Sequence, residues 1–268
     1  MKEKIPAFFY LKLFILGIIL LIIGSIVFKV VTEVMSSNFR GNTFSLLMVS
    51  KDSKLVTIDT NAKVAHYLTL GDMRQYAKGK NPLGVSIALG IPINAVIVGD
   101  RFTQDLSSFL ASDNELRLMF EPSLIRKKVN AYDIFKLTNS LRGIPKDNIH
   151  QFKIDILNEK QVKEKLSSAF LDSVIVNAPY TVEIENSTSV NGLGSIMALI
   201  LGREGYNVIA VRTSNESGSS YIAFPDKKND YIDSIIGITG FEQKKVKKSP
   251  TADVTIFLGD DMDAMLSL

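Results

Sequence analysis

Between Phe8 and Val31 the chain carries no charge except Lys12 and Lys29, and its apolar residues point in every helical direction. At about 1.5 Å of rise per residue, a helix over 13–28 covers roughly 24 Å, and the flanking lysines can snorkel to headgroups. No polar stripe is present, so the pattern predicts a membrane span and not an amphipathic core helix. Beyond it the period changes. Residues 44–50, 55–59 and 63–70 read as strands, 82–89 as a helix ended by Gly90, and 91–99 as a strand that starts on a proline. Helices are predicted over 105–111, 131–140 and 159–170, and Pro179 marks a boundary near 177–180. A second run follows: strand 181–185, helix 195–203 closed by Gly205, strand 206–211, strand 221–224, helix 229–238 before Gly240, and strand 253–259.

The fold class expected is therefore α/β: one N-terminal transmembrane helix, a mixed α/β domain and a small α/β domain. The divisions are 1–35 for a cytoplasmic stub and anchor, 36–178 for the first domain and 179–268 for the second. An uncleaved anchor is expected over a cleaved leader, because 29–33 offers no small-x-small cleavage site. Lys2, Lys4 and Lys12 place the N-terminus in the cytoplasm and the bulk outside. The membrane is thus the first expected partner, through Phe8 to Val31.

A net charge of +3 does not suggest a nucleic-acid binder, and none is expected as a partner. The absence of cysteine excludes disulfides, thiolate metal sites and a cysteine nucleophile. His66 and His150 are the only histidines, neither at metal spacing from another ligand, and His66 reads as a satisfied strand residue. No Gly-x-Ser-x-Gly elbow supports a serine hydrolase. Asp260, Asp261 and Asp263 read as solvated charge, and no metal site is expected. Lys244, Lys245, Lys247 and Lys248 form a basic cluster, read as a hydrated loop over a contact with anionic lipid or glycopolymer. Asn186, Asn191, Gly192 and Gly194 surround a strand-to-helix joint whose amides suit an anion, although a turn and cap is the simpler role.

Strand, NSTSVNGLG, a helix ending in REGYNVIAV, and the closing ADVTIFLGDDM together resemble the C-terminal domain of LytR-type cell-envelope proteins over about 181–263. In the first domain, LLMVSKDSKLVTID and ALGIPINAVIVGDRF resemble the hairpin and the helix-to-strand segment of the LytR-CpsA-Psr domain. That resemblance implies a phosphotransferase attaching lipid-pyrophosphate-linked glycopolymers to peptidoglycan, with Asp72, Arg74, Asp100 and Arg101 around magnesium. Guanidinium forks neutralise phosphoryl oxygens, and carboxylates hold the hard cation. The chain departs from the family's pattern: Leu70-Gly71-Asp72-Met73 keeps an aspartate but loses the arginine of the turn, and 76–85 is shortened. Loss of several such groups removes orders of magnitude in rate. The expected function is a non-catalytic binding or scaffolding factor in cell-wall or glycopolymer assembly, with no cofactor. The enzyme, with magnesium, is the alternative.

Overall fold

The computed structural model describes residues 7–102, 105–154, 166, 169–225, 229–245 and 251–266. The chain divides into two units, residues 1–37 and 38–268. The first is the helix α1 (Ala7–Met35). Within it Tyr10–Met35 is long and apolar enough to cross a membrane, and Leu21, Phe28 and Met35 are among its exposed side chains.

The second unit holds two sheets. In the first sheet, β1 (Thr43–Val49), β2 (Lys54–Asp59) and β3 (Val64–Thr69) form an antiparallel meander. The chain then passes through α2 (Arg74–Ala77) and α3 (Pro82–Leu89) to β4 (Ala95–Val98), which runs parallel to β1. Two more helices, α4 (Leu106–Phe109) and α5 (Ser112–Phe120), precede the short β5 (Ile125–Lys127). After α6 (Ala131–Arg142) comes β6 (Ile149–Lys153), and the order across the sheet is β5-β4-β1-β2-β3-β6. A single turn, α7 (Ser173–Val176), leads to the second sheet. That sheet is built from β7 (Thr181–Asn186), α8 (Leu193–Glu204), β8 (Asn207–Thr213), β9 (Tyr221–Ala223), α9 (Asp230–Thr239), β10 (Glu242–Lys244), β11 (Val254–Leu258) and α10 (Asp261–Leu266), in strand order β10-β9-β11-β7-β8.

The helix ends follow local chemistry. Asn81 caps α3 by accepting from Gly84 N at 2.8 Å, proline fills its first turn, and Gly90 leaves it at φ +64°. Asn130 and Asp133 form a reciprocal capping box on α6. Gly205 closes α8 at φ +103°, and a Cβ there would run into Val176. Both the backbone and the neighbour demand glycine. Gly205→Ala is expected to cost about 2 kcal/mol or more, read as a fall in thermal midpoint.

Two expectations shift. The strand expected over 91–99 begins only at Ala95, because Asn94 turns its Oδ1 inward to accept Ser45 N at 2.7 Å and holds the approach in a loop. The helix expected over 105–111 is one turn, capped by Asp105. The helix expected over 159–170 lies mostly outside the described residues.

The helix α3 serves both sheets. Val85 and Leu89 pack on the first, whereas Leu83 and Ile87 join Val182, Met197 and Ile235 beneath the second. Arg203 fastens the same region by donating to Gly90 O at 2.6 Å. Nearby lies a buried acid, Glu204. Its Oε2 accepts from Ser234 Oγ at 3.2 Å, and its backbone O accepts from Asp172 N at 3.0 Å. Burial, then the charge of Asp172, pushes the Glu204 carboxyl well above the usual range.

Candidate functional site

The parallel pair β1 and β4 ends at Val49 and Val98, which are register partners, so both chains leave the sheet at one edge. Carboxyl ends of parallel strands are where α/β sheets commonly hold ligands. Ser53 organises this edge. Fully buried, its Oγ accepts from Ser50 N at 3.1 Å and Met73 N at 3.3 Å, tying the β1–β2 turn to the segment that carries Asp72 and Arg74.

A cavity of ≈ 520 Å³ opens here, lined by Val49, Ala77, Val98 and Ile125 and by Arg74, Lys78 and Lys127, with Gln75 and Gly79. Its size falls within the roughly 300–1,000 Å³ of small-molecule sites. The walls are apolar and the charged lining is cationic. Ile125 and Lys127 alternate along β5 and thus share a face with Val98, the register partner of Ile125. Lys127 is fixed by donating to Lys80 O at 2.6 Å.

Asp72 lies outside this cavity lining. Arg74 Nε reaches Asp72 Oδ1 at 2.9 Å and Oδ2 at 3.0 Å, and Nη2 makes a further contact with Oδ2. That guanidinium contact holds the Asp72 carboxyl down to about 2. Asp100 and Arg101 line a different cavity of ≈ 350 Å³, together with Ser50, Lys51, Asp52 and Phe102. Of the four residues expected to act together, Arg74 alone lines the apolar cavity.

At the strand-to-helix joint, Asn186 Oδ1 accepts from Thr188 N at 3.2 Å and Thr188 Oγ1 at 2.7 Å, while its Nδ2 donates to Val190 O at 3.2 Å. Asn191 is exposed, Gly192 caps α8 at φ +80°, and a Cβ on Gly194 would come within 2.7 Å of Val211 Cγ1. Asn186 is thereby engaged in its own turn, and Gly194 allows helix and strand to approach.

The three C-terminal aspartates are not simply solvated, as expected, but tie loops together. Asp260 Oδ2 accepts from Gly218 N at 3.2 Å, Asp261 Oδ1 from Ser220 N at 2.8 Å, and Asp263 Oδ2 from Ser189 Oγ at 3.0 Å. In the basic cluster, Lys244 Nζ stacks 4.1 Å over the Tyr221 ring, and 246–248 lie outside the described residues.

The histidines also depart from expectation. Parallel pairing of β3 and β6 sets His66 beside His150, with ring centroids 5.0 Å apart. His66 is not satisfied by a hydrogen bond at Nδ1 among the described residues. Burial and then His150 lower its imidazole to about 4.

The sequence of the second sheet decides one point. Residues 179–261 match LytR_C, the LytR cell envelope-related transcriptional attenuator family. The matched stretch spans β7 through β11, so it includes the joint at 186–194 and the buried Glu204. No protein of curated function matches the chain. Among solved structures, the transcriptional regulator yvhJ from Bacillus subtilis aligns at 12% identity over 43% of this chain and 84% of that one, with a TM-score of 0.30. The Lin1025 protein from Listeria innocua aligns at 12% identity over 68% and 86%, TM-score 0.19. TagV from B. subtilis aligns at 12% identity over 85% and 95%, TM-score 0.20. The LytR_C match supports a cell-envelope-related function.

Proposed function

We propose that this chain is a membrane-anchored, extracytoplasmic binding factor of cell-envelope biogenesis that holds a lipid-linked anionic glycopolymer without cleaving it. The observation that carries the reading is the apolar cavity of ≈ 520 Å³ with Arg74, Lys78 and Lys127 in its lining. Apolar walls suit a hydrocarbon tail, and Lys78 and Lys127, with Arg74 shared with Asp72, suit a phosphate or pyrophosphate at its head. The apolar helix Tyr10–Met35 supplies a tether that keeps such a cavity near a bilayer.

The same geometry weighs against turnover. Magnesium needs oxygen ligands beside the phosphates, but Asp72 is engaged by Arg74, and Asp100 lines a separate cavity with Arg101. The donor set around the apolar cavity does not fit the ion. Binding and orientation are what Arg74, Lys78 and Lys127 can perform.

The test uses the full chain in detergent micelles with a polyprenyl pyrophosphate and magnesium. Saturable binding without release of phosphate is expected, and Lys78→Ala or Arg74→Ala should each weaken it about tenfold. Pyrophosphate-bond cleavage that disappears in Asp72→Ala would establish the phosphotransferase instead. Unchanged binding in both cation variants would remove the cavity from the account.

A further inference from the structure

The two histidines of this chain are far apart in sequence, yet the fold makes them neighbours. They occupy register positions on the parallel strands β3 and β6, their ring centroids are 5.0 Å apart, and their planes incline at 34°. Metal chelation has a definite spacing. An ion bound to two imidazole nitrogens at about 2.0–2.1 Å lies about 3.2 Å from each ring centre, and ligand angles of about 90–110° then separate the centres by about 4.5–5.2 Å. The observed value falls inside that window.

Two further features point the same way. His66 is 7% exposed, and its buried Nδ1 has no hydrogen-bond partner among the described residues. A buried polar atom left in that state ordinarily destabilises the fold, so its retention calls for an explanation. The pair also lines a cavity of ≈ 350 Å³ together with Ser173 and Asn177, which leaves room for water or a small ligand beside the rings. Asp59 lies in the same wall but is committed elsewhere: Oδ1 accepts from Asn61 N and Ala62 N at 2.8 Å, and Oδ2 from Ser173 N at 2.9 Å.

We propose that His66 and His150 form an open, two-imidazole site for a borderline divalent transition ion such as Zn²⁺, Ni²⁺ or Cu²⁺. Among the described residues no cluster of three histidine, cysteine or carboxylate ligands is present, so water completes the coordination. Nitrogen ligands select these ions over Mg²⁺ and Ca²⁺, which prefer oxygen. The site lies on β3 and β6, at the opposite edge of the sheet from β5 and its Lys127, and is independent of the apolar cavity.

The test titrates the untagged full chain in detergent with zinc chloride and follows the heat of binding. One saturable site is expected, and His150→Ala should weaken it at least tenfold. His150 is exposed, so the metal-free melting curve of that variant should match the parent chain. A second readout uses the two imidazole resonances: Ni²⁺ should broaden both together and Mg²⁺ neither. Zinc binding that is unchanged in His150→Ala, equal affinity for Mg²⁺, or no saturation below about 1 mM would overturn the site.

Discussion

Asp133→Ala should cost on the order of 4 kcal/mol, seen as a fall in the urea midpoint with an unchanged slope. The side chain is fully buried at the start of α6. Its Oδ1 accepts from Asn38 N and Phe39 N, each at 3.1 Å, and its Oδ2 from Asn130 N at 3.0 Å. Removing the carboxylate leaves three backbone donors to find new partners and undoes the capping box. Phe39, which stacks on Phe44 with centroids 4.6 Å apart, would lose the clamp that sets its backbone. Asp133→Asn preserves one acceptor oxygen and should recover about half of the loss. Equal damage from both substitutions would show that charge, and not the pattern of acceptors, is what matters.

The second large effect depends on pH. Burial and Asp172 raise the Glu204 carboxyl well above its ordinary value, so the folded chain prefers it protonated. That contribution is complete below the ordinary carboxyl value of about 4.5 and is lost as pH climbs through the raised one. Each tenfold difference in proton affinity between folded and unfolded chains is worth about 1.4 kcal/mol. Thermal midpoints should therefore fall as pH rises above about 6.5, beyond the window in which His66, lowered to about 4, adds stability of the opposite sign. Glu204→Gln, which stays neutral and can still accept from Ser234 Oγ, should melt higher than the parent chain at pH 8 and flatten most of this slope. Asp172 is raised by burial too and should leave a residual slope of the same sign. A midpoint for Glu204→Gln that tracks the parent chain at every pH would refute this account.

Much of the fold is legible where the chain punctuates itself. Asn81, Pro82 and Gly90 bracket α3, while Asn229 and Gly240 bracket α9, as their residue types require. β1, β2 and β11 stand out as β-type runs buried at every position, and β7 as an alternating one, each in the interior of its sheet. The edge strands of the first sheet do not announce themselves, unlike β8 at the edge of the second. Ile125-Arg126-Lys127 and Ile149-His150-Gln151-Phe152-Lys153 carry no clear period, since each is paired on one side only. That is why Lys127 of the apolar cavity and His150 of the histidine pair were illegible: both are placed by pairing to β4 or β3, a non-local event. Lys78 lacks any signal beyond its charge. Arg74 was legible through its family resemblance, but its grip on Asp72 belongs to the folded turn. The bonds of Asp260, Asp261 and Asp263 to distant loops likewise have no local signature.

The eight residues of α3 have a consequence for engineering. Because Leu83 and Ile87 fill one core while Val85 and Leu89 fill the other, neither half owns this helix. A piece cut at residue 179 would lose Leu83 and Ile87 from the core beneath the second sheet, so a fragment designed to fold alone has to reach back to α3.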